Sequence, residues 1–395
     1  MRLLGKRALA STPSATLELA ARANELARAG RPVLNLTVGE PDLPTPAPIV
    51  RAAHTALDEG HFGYTPTAGV LELRQRVAAH YSSRWGWELG ADGVIICNGA
   101  KQALFNALAS TVDPGDRVGV FSPYWTSYVE QIRAVGGEVV EIPCPKEDGF
   151  RPDMGAFADA LGDGLRLLIV NSPCNPTGAV LSARDWEGIL DLLEASECLL
   201  LSDEIYEELV FTRAGHVSPA RLRPAFFERS CIVSGLSKSF AMTGWRVGWA
   251  LAPAAWTRAM VTLQGHMTSN INAIAQQAAI AALANQELIL PLREAFVARR
   301  AHLARRLDEL TPLVGRVPDG AFYLYLDISA LGMDVDAFAE QLLEEESVAI
   351  VPGSAFGDAE HVRLSFAAST ETLDDAFARM RRFLDRRLAA ERGAP

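Results

Sequence analysis

Between residues 94 and 251 the chain repeats one pattern: a short run of consecutive apolar residues, a turn, and a longer mixed stretch before the next run. Val94-Ile95-Ile96-Cys97, Arg117 to Phe121, Glu138 to Ile142, Leu165 to Val170, Cys198 to Ser202, Cys231-Ile232-Val233 and Val247 to Leu251 are the runs. Their apolarity is continuous rather than alternating. That predicts strands buried on both faces, as in a parallel or mostly parallel sheet covered by helices on both sides. Helices are expected between them, from Asn98-Gly99 through Leu108 and over about Ser127 to Val135. The fold class that follows is α/β.

The flanking regions read differently. Upstream, Leu17 to Ala29 has helical spacing closed by Gly30, Val33 to Leu36 is a short strand, and helices are predicted at about Ala47 to Glu59 and Val70 to Arg84. The intervening Gly63-Tyr64-Thr65-Pro66-Thr67-Ala68-Gly69 holds too many breakers to be helical. After residue 253 come helices at about Ala254 to Leu263 and Ala273 to Ala284, and a long one from Glu287 to about Leu310. The apolar run Ala321 to Leu326, a helix near Val335 to Glu345, strands at Val348 to Val351 and Val362 to Phe366, and a helix from Leu373 to about Ala390 complete the series. This tail predicts a smaller α+β domain that takes in the N-terminal arm. The expected division is a large domain over 46–290 and a small one over 1–45 and 291–395, joined by the long helix because no low-complexity linker separates them.

Composition narrows the classes. At 395 residues the chain is too long for one compact core. Its 49% hydrophobic and 22% charged content is that of a globular enzyme, not a disordered chain. A net charge of −11 argues against nucleic acid as a partner, because phosphate backbones need a basic face. Cys97, Cys144, Cys174, Cys198 and Cys231 form no C-x-x-C pair and read as reduced core residues. Met1 to Ala10 is basic without a signal-length apolar stretch, and no run approaches membrane-spanning length, so a cytoplasmic protein is expected. No metal site is predicted.

Ligands in open α/β sheets sit beyond the carboxyl ends of the strands, and four strand ends here carry unusual residues. After Val94 to Cys97, Asn98-Gly99-Ala100-Lys101 opens a helix whose N–H groups and dipole suit a phosphate, although alone it reads as a plain strand-to-helix turn. Neither G-x-x-x-x-G-K-[ST] nor G-x-G-x-x-G follows a strand, which weakens nucleotide readings. After Leu165 to Val170, the rigid Asn171-Ser172-Pro173-Cys174-Asn175-Pro176-Thr177-Gly178 can aim the Asn175 amide at a ligand oxygen. Asp203, after Cys198 to Ser202, is either a helix N-cap or a carboxylate for a protonated ring nitrogen, with Tyr206 three residues on. The fourth is Ser234-Gly235-Leu236-Ser237-Lys238-Ser239-Phe240-Ala241-Met242-Thr243-Gly244-Trp245-Arg246, with Gly244 expected to let the chain turn between Lys238 and Arg246. A lysine in a partly dry pocket near another cation has a lowered pKa and forms Schiff bases, and Arg246 with the serines suits an anion. A solvated surface loop is the alternative for those residues in isolation.

Taken together, Asn175-Pro176-Thr177-Gly178, Ser202-Asp203-Glu204-Ile205-Tyr206, Ser237 to Arg246 and Val362-Arg363-Leu364-Ser365 resemble the class I/II pyridoxal-phosphate aminotransferases, most closely the bacterial aspartate aminotransferase branch. The resemblance runs from Pro13-Ser14-Ala15-Thr16 to the last helix. It implies the PLP-dependent transferase fold (type I) and pyridoxal 5′-phosphate as cofactor. Lys238 would hold the cofactor as a Schiff base and shuttle the proton. Asp203 would keep the ring nitrogen protonated. Tyr206 and Asn175 would bond the ring hydroxyl, and Trp125 would stack on the ring where core packing is its other reading. Gly99, Ala100, Ser237 and Arg246 would bind the phosphate, joined by Tyr64 of a partner subunit in a homodimer. Arg363, beside the Gly39 N–H, would take the substrate α-carboxylate. Lys101 matches the lysine that takes the distal carboxylate in that branch, helped by Ser14 and Thr16, while Gln264-Gly265-His266-Met267 offers no arginine where other members have one. Gly235 stands where many relatives have a phosphate-binding serine, and His266 has no assigned role.

The implied activity is transfer of the amino group of aspartate or glutamate to a 2-oxo acid in a ping-pong cycle. The same scaffold also permits a lyase, a synthase, or transamination of prephenate or of aromatic or specialised amino acids. A non-catalytic ligand sensor would need an appended DNA-binding segment, for which the residues before Pro13 leave no room.

Overall fold

The computed structural model describes residues 3–5, 8–9 and 11–393; Arg2, Lys6 and Arg7 of the basic N-terminal segment lie outside them. After a two-residue strand, β1 (Leu34–Asn35), the seven apolar runs form a single sheet. They are β2 (Val94–Asn98), β3 (Arg117–Ser122), β4 (Glu138–Pro143), β5 (Leu165–Asn171), β6 (Leu199–Asp203), β7 (Ser230–Gly235) and β8 (Val247–Leu251), in the order β2-β8-β7-β6-β5-β3-β4. β8 is antiparallel to both its neighbours, and every other pairing is parallel.

Alternate residues of each strand enter different cores, which is why the runs are continuously apolar. Val94 and Ile96 of β2, Ile232 of β7 and Trp249 of β8 pack with Leu73, Val77 and Ala278 on one face. Ile95, Cys97, Val233 and Ala250 pack with Leu104, Leu108 and Met260 on the other. The pairing directions have a functional consequence. The carboxyl ends of β2, β3, β5, β6 and β7 open at one end of the sheet, where β8 starts, so the five strand ends carrying Gly99, Trp125, Asn175, Asp203, and Lys238 with Arg246, emerge together.

A second sheet has the order β12-β13-β10-β9, all antiparallel, from β9 (Val314–Gly315), β10 (Tyr323–Asp327), β12 (Val351–Pro352) and β13 (His361–Ser365). The strand expected over Val348 to Val351 is divided. β11 (Val348–Ala349) pairs in parallel with β1, and Val351–Pro352 pairs with β13, so the chain changes sheets at Ile350. The long helix expected from Glu287 is also divided, into a 3₁₀ turn Gln286–Ile289, a helix Leu290–Ala304 and a 3₁₀ turn Leu307–Leu310. Pro291 in the first turn of that helix explains the break, because its ring and missing N–H are tolerated only at a helix start. Ile289 packs with the first sheet's core while Leu292 and Phe296 pack with Phe322, Leu364 and Phe377 of the second. Among the described residues no helix is long and apolar enough to cross a membrane.

Candidate active site

The loops at the open edge of the first sheet, with the 38–40 turn and the second sheet beside them, enclose a cavity of about 470 Å³. It is of a size that takes a small-molecule ligand. Lys238, Asp203, Tyr206, Asn175, Trp125, Ala100, Lys101, Ser237, Arg246, Gly39, Arg363, Ser14 and Thr16 all line it, which joins residues from position 14 to position 363.

Lys238 follows β7 and reaches across to the 39 turn, where its Nζ donates to the Gly39 carbonyl at 2.5 Å. A Cβ at Gly39 would lie 2.5 Å from the Tyr323 hydroxyl, so only glycine allows this approach. Burial lowers the Lys238 pKa to about 8 against the pull of Glu40, and the Arg246 and Arg363 charges push the same way as burial. An amine with that value has a neutral, nucleophilic fraction of roughly a tenth at pH 7, far more than an ordinary lysine.

Asp203 ends β6 and is 3% exposed. It caps no helix, since a turn follows it. Its Oδ2 accepts the Tyr128 hydroxyl at 2.7 Å and its Oδ1 accepts the Ile205 N–H at 3.1 Å. Burial pushes its pKa up to about 6, against the lowering by those two donors. The Tyr206 hydroxyl shares a 2.7 Å hydrogen bond with that of Tyr323, so Tyr206 reaches the cavity already oriented. The Asn175 Oδ1 accepts from Arg363 Nη1 at 2.8 Å, leaving the Nδ2 end of the amide as a donor.

The helix Ala100–Ala109 starts at the cavity, and its N-cap, Gly99, offers no capping side chain. Its first N–H groups are therefore open to an anion. Gly99 itself lies under Arg246, whose Nη2 a Cβ there would meet at 2.5 Å, with φ at +77°. Arg246 donates to the carbonyls of Thr243 at 2.9 Å and Asn98 at 3.2 Å. Gly244 lies in the 243–246 turn as expected, but the left-handed residues of this loop are Ala241 and Arg246, whose φ values are +51° and +57°. Gly235 pairs with Gly248 across β7 and β8, and a Cβ there would be 2.8 Å from Gly248 Cα and Val247 O. Its missing side chain would point into the sheet and not at an anion.

Arg363 lies in β13, 2% exposed, its guanidinium carbon 4.4 Å from the Tyr323 ring centre and 4.9 Å from that of Phe356. Nη1 is held by Asn175 and Nη2 by the Thr37 carbonyl at 2.7 Å, but the buried Nε has no hydrogen-bond partner. A buried donor of that kind calls for an acceptor. The Lys101 Nζ sits 4.8 Å from the Trp125 ring centre, and burial followed by Arg246 repulsion lowers its pKa.

The predicted Tyr64, and His266, which had no assigned role, lie elsewhere. Tyr64 is 96% exposed and belongs to a surface hollow with Phe62 and Asn270, outside this chain's own cavity. His266 is exposed in the last turn of the helix Ala254–Met267 and does not line the cavity. Conversely, Tyr128, Tyr323, Asn171, Ser127, Glu40 and Thr243 line it and were not foreseen. Tyr128 follows Trp125 by three residues across the turn that opens the helix Ser127–Val135, its N–H donating to the Trp125 carbonyl at 3.0 Å. Tyr323 was hidden in an apolar run.

The family model for class I and II aminotransferases matches residues 31–380. The chain is 42% identical over 390 residues to an aspartate/prephenate aminotransferase of Thermus thermophilus, covering 98% of this chain and 100% of that protein. It is 39% identical over 389 residues to an aspartate aminotransferase of Bacillus subtilis, covering 97% and 99%. A solved structure of the Thermus thermophilus aspartate aminotransferase with maleate shares its fold at a TM-score of 0.92 and 42% identity, covering 97% of this chain and 100% of that one. The chain therefore belongs to the class I and II aminotransferases, of the PLP-dependent type I fold, and its cofactor is pyridoxal 5′-phosphate.

Proposed function

We propose that this chain transfers the amino group of aspartate or glutamate to a 2-oxo acid, in two half-reactions that share one site. The observation that carries the reading is a single cavity lined by two cations suited to carboxylates. They are Arg363, with its unpartnered buried Nε, and Lys101, beside Ser14 and Thr16. A dicarboxylic substrate uses both. The Thermus thermophilus relative whose structure contains maleate, itself a dicarboxylate, supports that chemistry. Prephenate, for which the Thermus thermophilus aspartate/prephenate aminotransferase is named, is the second candidate acceptor.

The donor set fits the cofactor. A phosphate suits the uncapped helix start at Ala100 with Ser237 and Arg246, a cationic ring nitrogen suits Asp203, and a ring hydroxyl suits Tyr206 and Asn175, with Trp125 as the stacking face. Pyridoxal phosphate, when bound, supplies an aldehyde carbon for the amino group and a ring that accepts the electron pair left when the substrate's Cα–H bond breaks. The residues do the rest. Lys238 Nζ is the covalent anchor and then the base and acid that removes and returns protons. The ionised, buried Asp203 would stabilise positive charge on the ring nitrogen. Tyr206, oriented by Tyr323, donates to the ring oxygen. Arg363 fixes the α-carboxylate, with the Gly39 N–H beside it, so that the Cα–H faces Lys238.

Two further assignments belong to this reading. Tyr64 completes the phosphate site of a second copy in a homodimer, which its exposure with Phe62 at 73% supports. The chain divides into a large domain, 46–290, and a small domain, 1–45 with 291–395, a boundary supported by the separate cores of Ile289 and Leu292. The test of function is a donor and acceptor panel on cofactor-loaded protein: aspartate, glutamate, alanine, phenylalanine and tyrosine against 2-oxoglutarate, oxaloacetate and prephenate. Aspartate with 2-oxoglutarate is expected to give the highest kcat/KM. No measurable exchange of that pair would refute the assignment.

A further inference from the structure

Asp203 does not meet the cavity alone. The helix Ser127–Val135 delivers Tyr128, 2% exposed, to a hydroxyl contact of 2.7 Å with Asp203 Oδ2. The Tyr128 ring also stands edge-on to Trp125, with centres 5.4 Å apart and planes at 84°. One residue thus touches both the carboxyl at the ring-nitrogen position and the aromatic plate beside it. The hydroxyl is a permanent donor, since burial and then the Asp203 charge hold its pKa well above 10. With Ile205 N–H on Oδ1, each Asp203 oxygen takes one protein donor and keeps one lone pair for the cavity.

We infer that Tyr128 is a positioning residue: by donating to Asp203 Oδ2 it holds that carboxyl both oriented and ionised for the cofactor's ring nitrogen. This rests on the cofactor reading above. The charges that face Asp203 are Lys238 from the β7–β8 loop, which favours the anion, and Glu204 next to it in the chain, which opposes it. The Tyr206 hydroxyl and the Cys174 thiol are the remaining titratable neighbours, both neutral because burial raises their pKa values. Against the burial that pushes Asp203 up to about 6, the Tyr128 hydrogen bond is the largest opposing influence. Without it the carboxyl keeps its proton to higher pH and must release it before pairing with the ring nitrogen.

The test uses pyridoxamine 5′-phosphate, which has the ring and the phosphate but forms no bond to Lys238. Its Kd is measured by calorimetry on cofactor-free wild-type and Tyr128→Phe protein between about pH 8.5 and pH 5.5, with thermal unfolding as the check of fold. Phenylalanine preserves the packing on Trp125. The ligand's own titrations affect both proteins alike, so the ratio of the two Kd values isolates Asp203. The expected ratio grows on the order of tenfold as pH falls, the equivalent of about one pH unit for a lost hydrogen bond to a charged group. In an Asp203→Asn background the Tyr128→Phe ratio is expected to be flat with pH. A flat ratio in the Asp203 protein would overturn the inference and leave Tyr128 a packing residue. If wild-type protein bound no pyridoxamine 5′-phosphate while remaining folded, the cofactor reading would fall and this inference with it.

Discussion

Asp203 and Glu204 are consecutive carboxylates at the end of β6, 3% and 0% exposed, yet they have opposite surroundings. Asp203 faces the cavity with one donor on each oxygen. Glu204 turns away from it, and its partners are all protein groups: Ser202 and Ser218 at 3.0 Å on Oε1 and His216 Nε2 at 2.7 Å on Oε2. Its neighbour Glu207 is held in the same way by Tyr81 at 2.5 Å, Ser234 at 2.6 Å and Arg84 at 3.5 Å. Glu204, Glu207 and His216 place ligand atoms within 4.8 Å of one another, a spacing that also suits a cation, but each glutamate oxygen has a protein partner and neither glutamate lines the cavity. Burial and charge alone do not mark a site. What separates the two carboxylates is bonding capacity left open toward a cavity, which costs stability and is retained where a ligand completes it.

The contrast is broken or sharpened by substitution on each side of it. Lys238→Ala, on the cavity side, is expected to lower turnover by at least about 10⁴-fold while leaving the fold intact, since it removes the covalent anchor and proton shuttle together. Steady-state kinetics alongside thermal unfolding read both effects. Asp203→Asn follows, at roughly 10²–10⁴-fold in kcat with little change in unfolding. Glu204→Ala should do the reverse. It strands His216, Ser202 and Ser218 in the interior and costs about 3–5 kcal/mol in denaturant unfolding, while kcat per folded molecule stays within a few-fold. If Glu204→Ala lost activity in proportion to Asp203→Asn, the proposed division of labour would be wrong.

Smaller effects test the substrate end. Lys101→Ser is expected to lower kcat/KM for aspartate and glutamate by about 10- to 100-fold, the worth of one charge-assisted contact, and to leave alanine nearly unchanged. An equal loss for all donors would remove Lys101 from specificity. The smallest is a pH effect on stability. Burial disfavours the His216 cation, but Glu204 and then Glu207 outweigh it and raise its pKa above the ordinary 6.5. A raised folded pKa gives stability that is fully present below about 6.5 and lost as pH rises through the folded value. Unfolding free energy should decline over that window, and Glu204→Gln should abolish that slope. A slope that survives Glu204→Gln would assign the pH effect to other groups.

Much of this was legible in the residues, for identifiable reasons. Seven strands were readable because each feeds two cores, so Val94 to Cys97 or Val247 to Leu251 has no polar position to obscure the run. The site loops were readable because lysine, arginine and asparagine at buried strand ends have no packing reason to be there. Less legible were features set by distant contacts. The helices Met154–Gly162 and Ala183–Glu194 are a different case: they went unpredicted although Asp153, the Ser182–Asp185 capping box and the helical spacing of Trp186, Ile189, Leu190 and Leu193 are local signals. The break at Pro291 was missed because the helical spacing continues across it. Tyr128, Tyr323 and the packing need at Gly235 depend on partners 75, 117 and 13 positions away, and only the folded chain brings these together.

The most direct test of the central claim is a single half-reaction. Cofactor-loaded protein is mixed with aspartate and no acceptor, and oxaloacetate is counted per active site alongside the cofactor's absorbance change. The account predicts one equivalent of oxaloacetate per Lys238, matched by full conversion of the cofactor to its amine form and reversed by 2-oxoglutarate. Release of oxaloacetate in excess of sites without acceptor, or none from fully loaded protein, would contradict it.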